Sequence, residues 1–259
     1  MKVVILCGGM GTRLREETES IPKPMVEIGN RPILWHIMKL YSHFGYKEFV
    51  LCLGYKGEKI KEYFYHYSLL NHDVTIHLGK GQRIETHGTG NDEDWRITLA
   101  DTGRQTLKGA RLKKIEPYID GDVFLATYGD GLANIDISGL VAFHEQHGKM
   151  ATLTGVHPPS LFGELEIKGN QVRVFSEKPQ TTTGLINGGF FVFNRNIFDR
   201  LTLDEDCDLE KGLLDRLATE GELMVYRHDG DWDCMDTYRD MQYLNRLWQE
   251  NRAFWKLWT

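Results

Sequence analysis

Hydrophobic positions along this chain fall into short unbroken runs that alternate with stretches of helical spacing. Val3 to Cys7 is a continuous apolar run, the pattern of a strand covered on both faces. Ile33, Ile37, Leu40 and Phe44 recur at helical spacing, and Gly45 ends the series. Phe49 to Leu53 predicts a second strand, Glu58 to Tyr67 a helix, and Val74 to Leu78 another strand. Leu112, Ile115 and Ile119 mark a further helix, ahead of a strand at Val123 to Thr127. Ile137, Leu140, Val141 and Phe143 are helical, and Ala151 to Val156 is again a strand. This alternation predicts an α/β fold, a Rossmann-like, mostly parallel sheet with helices on both faces. Ligands of such sheets bind outside the carboxyl ends of the strands.

The texture changes near residue 156. Leu165 to Ile167 and Val172 to Phe175 flank Gly169-Asn170, which predicts a hairpin. Phe190 to Phe193 reads as a strand, Asp208 to Glu220 as a helix and Leu223 to Tyr226 as a short strand. The tail from Thr237 to Trp258 reads as a helix with Tyr243, Leu247 and Trp248 on one side, and it ends in FWKLW. That aromatic density suits either the chain's own core or a subunit interface. Gly79 to Asp94 is poor in apolar residues and reads as an exposed loop or lid. No internal repeat or long linker interrupts the 259 residues.

Composition narrows the function classes. Hydrophobic residues make up 41% and charged residues 26%, an ordinary globular balance. A net charge of −6 argues against a nucleic-acid partner, so any anionic ligand must be met by local basic groups. The apolar start of MKVVILCGG is too short for a signal peptide, and no run approaches the ~20 residues of a membrane span. Neither membrane nor export is expected. Cys7, Cys52, Cys207 and Cys234 show no metal-binding spacing and read as small hydrophobes in a reducing cytoplasm.

Five short segments carry candidate chemistry. Gly8-Gly9-Met10-Gly11-Thr12-Arg13 follows the first buried strand. Its glycines let backbone N–H groups approach an anion, and the Arg13 guanidinium suits phosphate oxygens. The spacing is neither the dinucleotide-binding glycine pattern nor a Walker loop. Lys23 stands between Pro22 and Pro24, which stiffen the backbone that aims it. Tyr128-Gly129-Asp130-Gly131 ends a predicted central strand and would suit a hard cation, although Asp-Gly is also a common turn. Asp236 precedes the tail helix, where it would either cap that helix or join Asp130 at a metal. Glu177-Lys178-Pro179 and Asn187-Gly188-Gly189 would suit a phosphorylated polyol, or are surface turns. The ten histidines are scattered and form no nucleophile–base set.

Taken in order, these segments resemble the sugar-1-phosphate nucleotidylyltransferase family. The family's G-G-x-G-T-R-L signature matches Gly8 to Leu14, and its P-K-P matches Pro22 to Pro24. Its later marks match Asp130, Glu177 to Pro179 and Asp236, so the likeness spans residues 3 to about 240. KPMVEIG, RPILWHIMK, TYGDG, INGGFFV and CMDTYRD are most similar to members that use CTP and glucose 1-phosphate.

The resemblance implies transfer of CMP from CTP to glucose 1-phosphate, giving CDP-glucose and pyrophosphate with Mg²⁺. UTP, dTTP or another phosphorylated acceptor stays open. It implies that Leu6, Gly8, Gly9, Met10, Gly11, Thr12 and Arg13 hold the triphosphate, and that Thr102, Arg111 and Gly129 help hold the cytidine. Arg13, Lys23 and Lys178 would act on the reacting phosphates, Asp130 and Asp236 on Mg²⁺, and Glu177, Asn187 and Gly188 on the sugar. It further implies one nucleotidyltransferase domain: a nucleotide-binding part at 1–156, a smaller β-rich sugar-binding part at 157–236 and a C-terminal helix at 237–259. A cytoplasmic homo-oligomer, trimer or hexamer, feeding polysaccharide (O-antigen) synthesis is the corresponding expectation.

Overall fold

A computed structural model describes residues 1–11, 14–79, 81, 83–88, 93–158, 164–168, 170–176 and 184–258. Seven strands pair in one sheet: β1 Val3–Leu6, β2 Glu48–Leu53, β3 Arg96–Asp101, β4 Val123–Tyr128, β5 Ala151–Val156, β6 Ile186–Asn194 and β7 Leu223–His228. Their order is β7-β5-β6-β4-β1-β2-β3. The four strands at one side, β4-β1-β2-β3, pair in parallel, as do β5 and β7. Only β6 runs against both its neighbours. The predicted mostly parallel sheet is present.

Alternate residues of the central strands feed two apolar layers, as the period of two requires. Val3, Ile5, Phe49, Leu51 and Leu125 face one layer, with helices α1 Ile33–His43 and α4 Ile137–His147 packed on it. Val4, Leu6, Val50, Cys52 and Phe124 face the other, under α3 Lys108–Lys114 and the segment around Leu209 to Leu217. Between β2 and β3 lies α2 Gly57–Tyr65. Cys7 and Cys52 are buried free thiols, as their apolar surroundings suggested.

Three expectations change. Strand β3 is absent from the sequence reading, because only Ile97, Leu99 and Ala100 are apolar and the strand lies at the sheet edge. The 79–94 stretch is not all loop. Its Arg83–His87 pairs antiparallel with Asp73–His77, matching Ile76 with Ile84 on an exposed two-stranded arm outside the main sheet. The tail helix, α5 Tyr238–Gln249, stops nine residues before Trp258. Asn251 there takes a left-handed conformation (φ 56°), and the Arg252 N–H bonds back to the Leu247 carbonyl, which terminates the helix. Leu244 and Leu247 form its buried side, whereas Tyr243 is exposed. The final aromatics fold back onto the chain itself: Trp255 is fully buried beside His36 and Trp248.

Candidate active site

The carboxyl ends of β1 and β4 lie side by side, with Leu6 paired to Tyr128. A cavity of about 590 Å³ opens there. Leu6, Gly8, Gly9, Met10, Gly11, Lys23, Arg111, Gly129, Asp130 and Asp236 all line it, so ten positions singled out in the sequence converge. Thr12, Arg13, Glu177 and Lys178 lie outside the described residues.

The loop after β1 is shaped from below by Arg111. That guanidinium donates to the carbonyls of Gly8 (3.1 Å), Leu53 (3.1 Å), Gly103 (2.7 Å) and Arg104 (3.4 Å), and to the Thr102 hydroxyl (2.8 Å). Thr102 in turn donates to the Leu53 carbonyl (2.7 Å) and is buried behind the cavity wall. One cation thereby fastens three loops at the ends of β1, β2 and β3. A Cβ at position 8 would overlap the guanidinium, so Gly8 is required by this close approach as much as by any anion.

The charged centre is built from three separate segments. Pro22 caps a short 3₁₀ turn, Lys23–Met25, that directs Lys23 inward. Gly131–Ala133 and Trp232–Cys234 pair antiparallel, with Cys234 opposite Gly131. Asp130 precedes one strand of this ladder and Asp236 follows the other, so the register brings the two carboxylates together. The Met235 N–H bonds to the Asp130 carbonyl at 2.9 Å and locks the arrangement. Lys23 Nζ contacts Asp130 Oδ2 at 2.6 Å and Asp236 Oδ1 at 2.5 Å. Burial works against the ammonium, but Asp130 and then Asp236 outweigh it and hold its pKa above the ordinary lysine value.

Asp236 does not cap α5, the plainer of its two sequence readings. Thr237 does, accepting from the Asp240 N–H (3.3 Å), while Asp240 Oδ2 accepts from the N–H groups of Thr237 (2.7 Å) and Asp236 (3.0 Å). The capping box leaves the Asp236 carboxylate to face Lys23. Among the described residues, no three His, Cys, Asp or Glu side chains gather at a metal-binding distance. The Asp130–Asp236 pair still fits Mg²⁺, which is usually held by one or two carboxylates and completed by phosphate oxygens and water.

A polar chain runs from the cavity wall to Asn187. Tyr128 lines the cavity, donates its hydroxyl proton to Glu210 Oε1 (2.6 Å) and accepts from Asn187 Nδ2 (3.1 Å). Asn187 Oδ1 accepts from the Gly189 N–H (2.9 Å), and the Gly188 carbonyl accepts from Trp232 Nε1 (2.8 Å). Lys108 lines the same cavity, pairs with Glu210 and lies over the Tyr128 ring, 5.1 Å from its centre. Sequence reading singled out neither Lys108 nor Glu210, nor the cavity-lining Arg104 and Gln105. Tyr128 was visible only as a neighbour of Gly129-Asp130. Nothing local marks a lysine and a glutamate 102 positions apart as partners.

Comparisons with known proteins identify the family. Residues 2–251 match the model of the family described as nucleotidyl transferase. The chain is 52% identical, over all 259 residues and the full length of each relative, to the glucose-1-phosphate cytidylyltransferases of Salmonella typhimurium and Salmonella typhi. Among solved structures, HddC from Yersinia pseudotuberculosis complexed with GMP-PN aligns with a TM-score of 0.69 at 22% identity, covering 95% of this chain and 99% of that one, which shows a shared fold. The family match over residues 2–251 and the full-length similarity together place the chain in the nucleotidyl transferase family.

Proposed function

We propose that this chain transfers CMP from CTP to α-D-glucose 1-phosphate, giving CDP-glucose and pyrophosphate. The observation that carries the reading is the Lys23 ammonium held between Asp130 and Asp236 at the mouth of a glycine-floored cavity. Full-length identity of 52% to glucose-1-phosphate cytidylyltransferases supports the choice of substrates. A phosphate oxygen of the sugar phosphate attacks the α-phosphorus of CTP in line, the α–β bridge bond breaks, and pyrophosphate leaves. The nucleophile is already an anion, so no protein base is needed. The chain's task is to bring two polyanions together and offset the charge that builds between them.

In this reading the backbone of Gly8 to Gly11, with Thr12 and Arg13, holds the triphosphate. Arg111, braced by Thr102, keeps the three loops in register around the cytidine, with Gly129 beside it. Lys23 meets the α-phosphoryl group and Lys178 the sugar phosphate, while Glu177, Asn187 and Gly188 hold the sugar hydroxyls. Asp130 and Asp236 would hold Mg²⁺, which when bound supplies further neutralisation of phosphate charge. The nucleotide-binding part is 1–156 and the sugar-binding part 157–236. The enzyme acts as a cytoplasmic homo-oligomer whose CDP-sugar product feeds surface-polysaccharide synthesis. No helix among the described residues is long and apolar enough to cross a membrane.

Pyrophosphate release measured with glucose 1-phosphate and each of CTP, UTP, dTTP and GTP tests the reading. A clear preference for CTP is expected. Preference for another triphosphate overturns the base assignment, and no release with any of them overturns the reaction.

A further inference from the structure

Asn187 has an amide whose direction is determined from both ends. Its Oδ1 receives the Gly189 N–H, and one Nδ2 proton goes to the Tyr128 oxygen. That leaves one N–H donor and one carbonyl lone pair to serve a hydroxyl of the acceptor. The arrangement works only if Tyr128 points its own single proton elsewhere. It does, because Glu210 is a carboxylate that can only accept, 2.6 Å from the hydroxyl.

Glu210 is placed with care by the backbone. It lies on Leu209–Leu214, a turn of wide π-helical pitch in which the Leu213 N–H bonds to the Asp208 carbonyl (3.4 Å). Asp208 caps this turn by accepting from the Lys211 N–H at 2.8 Å. Such turns are rare and occur frequently at functional sites. The turn is moored to α3, since the Ala110 N–H bonds to the Cys207 carbonyl (3.0 Å). Lys108, on the same helix, neutralises Glu210 and covers the Tyr128 ring. Tyr128 is therefore gripped at both its ring and its hydroxyl.

We propose that Glu210 is a positioning residue for the acceptor, acting through the Tyr128 hydroxyl to hold the Asn187 amide in its sugar-binding orientation. The proposal rests on the reading that Asn187 contacts the sugar. Removal of the carboxylate frees the Tyr128 proton to turn toward Asn187 and forces the amide away from its set direction.

Steady-state pyrophosphate release with CTP and glucose 1-phosphate tests this. Glu210→Ala is expected to raise the KM for glucose 1-phosphate about tenfold, the weight of one misdirected hydrogen bond, while the KM for CTP and kcat stay within about twofold. Glu210→Gln keeps an acceptor for the Tyr128 proton and should restore a near-parental KM. Tyr128→Phe should also raise the sugar KM, and Glu210→Ala added to it should cost nothing more. A Glu210→Ala loss spread equally over both KM values and kcat, a Gln variant as impaired as Ala, or an additive double variant overturns the proposal. Should Glu210→Ala fail to fold by thermal melting, Glu210→Gln and Tyr128→Phe carry the same comparison. Asn187→Ala separates the underlying reading. If it raises the sugar KM while Glu210→Ala does not, the proposal alone fails. If it leaves the sugar KM unchanged, the reading of Asn187 fails and the proposal with it.

Discussion

The two ends of the C-terminal segment treat a buried base in opposite ways. At its start, Asp236 joins Asp130 around Lys23, and the carboxylates keep the ammonium charged despite burial. At its end, Trp255 and Trp248 pack against His36, fully buried on α1. Trp255 Nε1 donates to His36 Nδ1 (3.3 Å), so the ring's own proton lies on Nε2 and goes to the Ile28 carbonyl (2.8 Å). With no carboxylate in those contacts, burial pulls the imidazole down from 6.5 to about 4 and keeps it neutral. The first arrangement concentrates charge at the lining of the cavity. The second removes charge and knits the chain's end to its first helix. Burial opposes charge at both, and the two pKa values move in opposite directions because only Lys23 has carboxylate neighbours to outweigh it.

The largest effect expected is at the aromatic end. Trp255→Ala removes a fully buried indole and should cost roughly 3–5 kcal/mol of stability, read as a lower midpoint in urea or on heating. The folded fraction should keep its KM values. A loss of turnover without a loss of stability would break the division between the two ends. Lys23→Ala should do the reverse, cutting kcat by about 10²–10³ in the pyrophosphate assay while the protein remains folded. A change of only a few fold would remove Lys23 from the reaction. Asp130→Asn and Asp236→Asn should likewise lose most turnover, and near-normal rates in either would remove that carboxylate from the centre.

Acid separates the two bases without mutation. The folded-state pKa of His36 lies below its unfolded value, so its contribution is complete above pH 6.5 and is lost as pH falls toward 4, by about 3 kcal/mol in all. His144 and His147, also lowered by burial, add in the same direction. Lys23 is raised, so its contribution persists below pH 10.5 and declines only at higher pH. Thermal melts should therefore weaken between pH 6.5 and 4. His36→Gln should flatten that slope, and an unchanged slope would refute the assignment. The smallest effect expected is Thr237→Ala, which removes the α5 cap at a cost of about 1 kcal/mol. A drop in turnover well beyond that in stability would show that the capping box also positions Asp236.

Much of this molecule was legible in the chain. Unbroken runs such as Val3 to Cys7 and Val123 to Thr127 read as strands buried on both faces, because they are short, are rich in β-branched or aromatic residues and end at or near glycine, and because a half-exposed strand would alternate. Gly8 to Gly11, Lys23, Asp130 and Asp236 stood out because glycine, proline-flanked lysine and strand-end aspartate are local signals. Strand β3 was missed because a short edge strand carries few apolar residues. The end of α5 was misplaced because Asn251 is a weaker stop signal than glycine.

What the tertiary structure alone decided is pairing. The sequence determined a mostly parallel sheet with glycines, a lysine and carboxylates gathered at its carboxyl edge, since periodicity and residue type act within a few positions. It did not determine that Thr237 rather than Asp236 caps α5, that Arg111 lies beneath Gly8, or that Glu210 and Lys108 hold Tyr128. Each of those contacts joins residues in competition or far apart along the chain. Burial and register settle which partner wins, and neither is defined until the strands have paired.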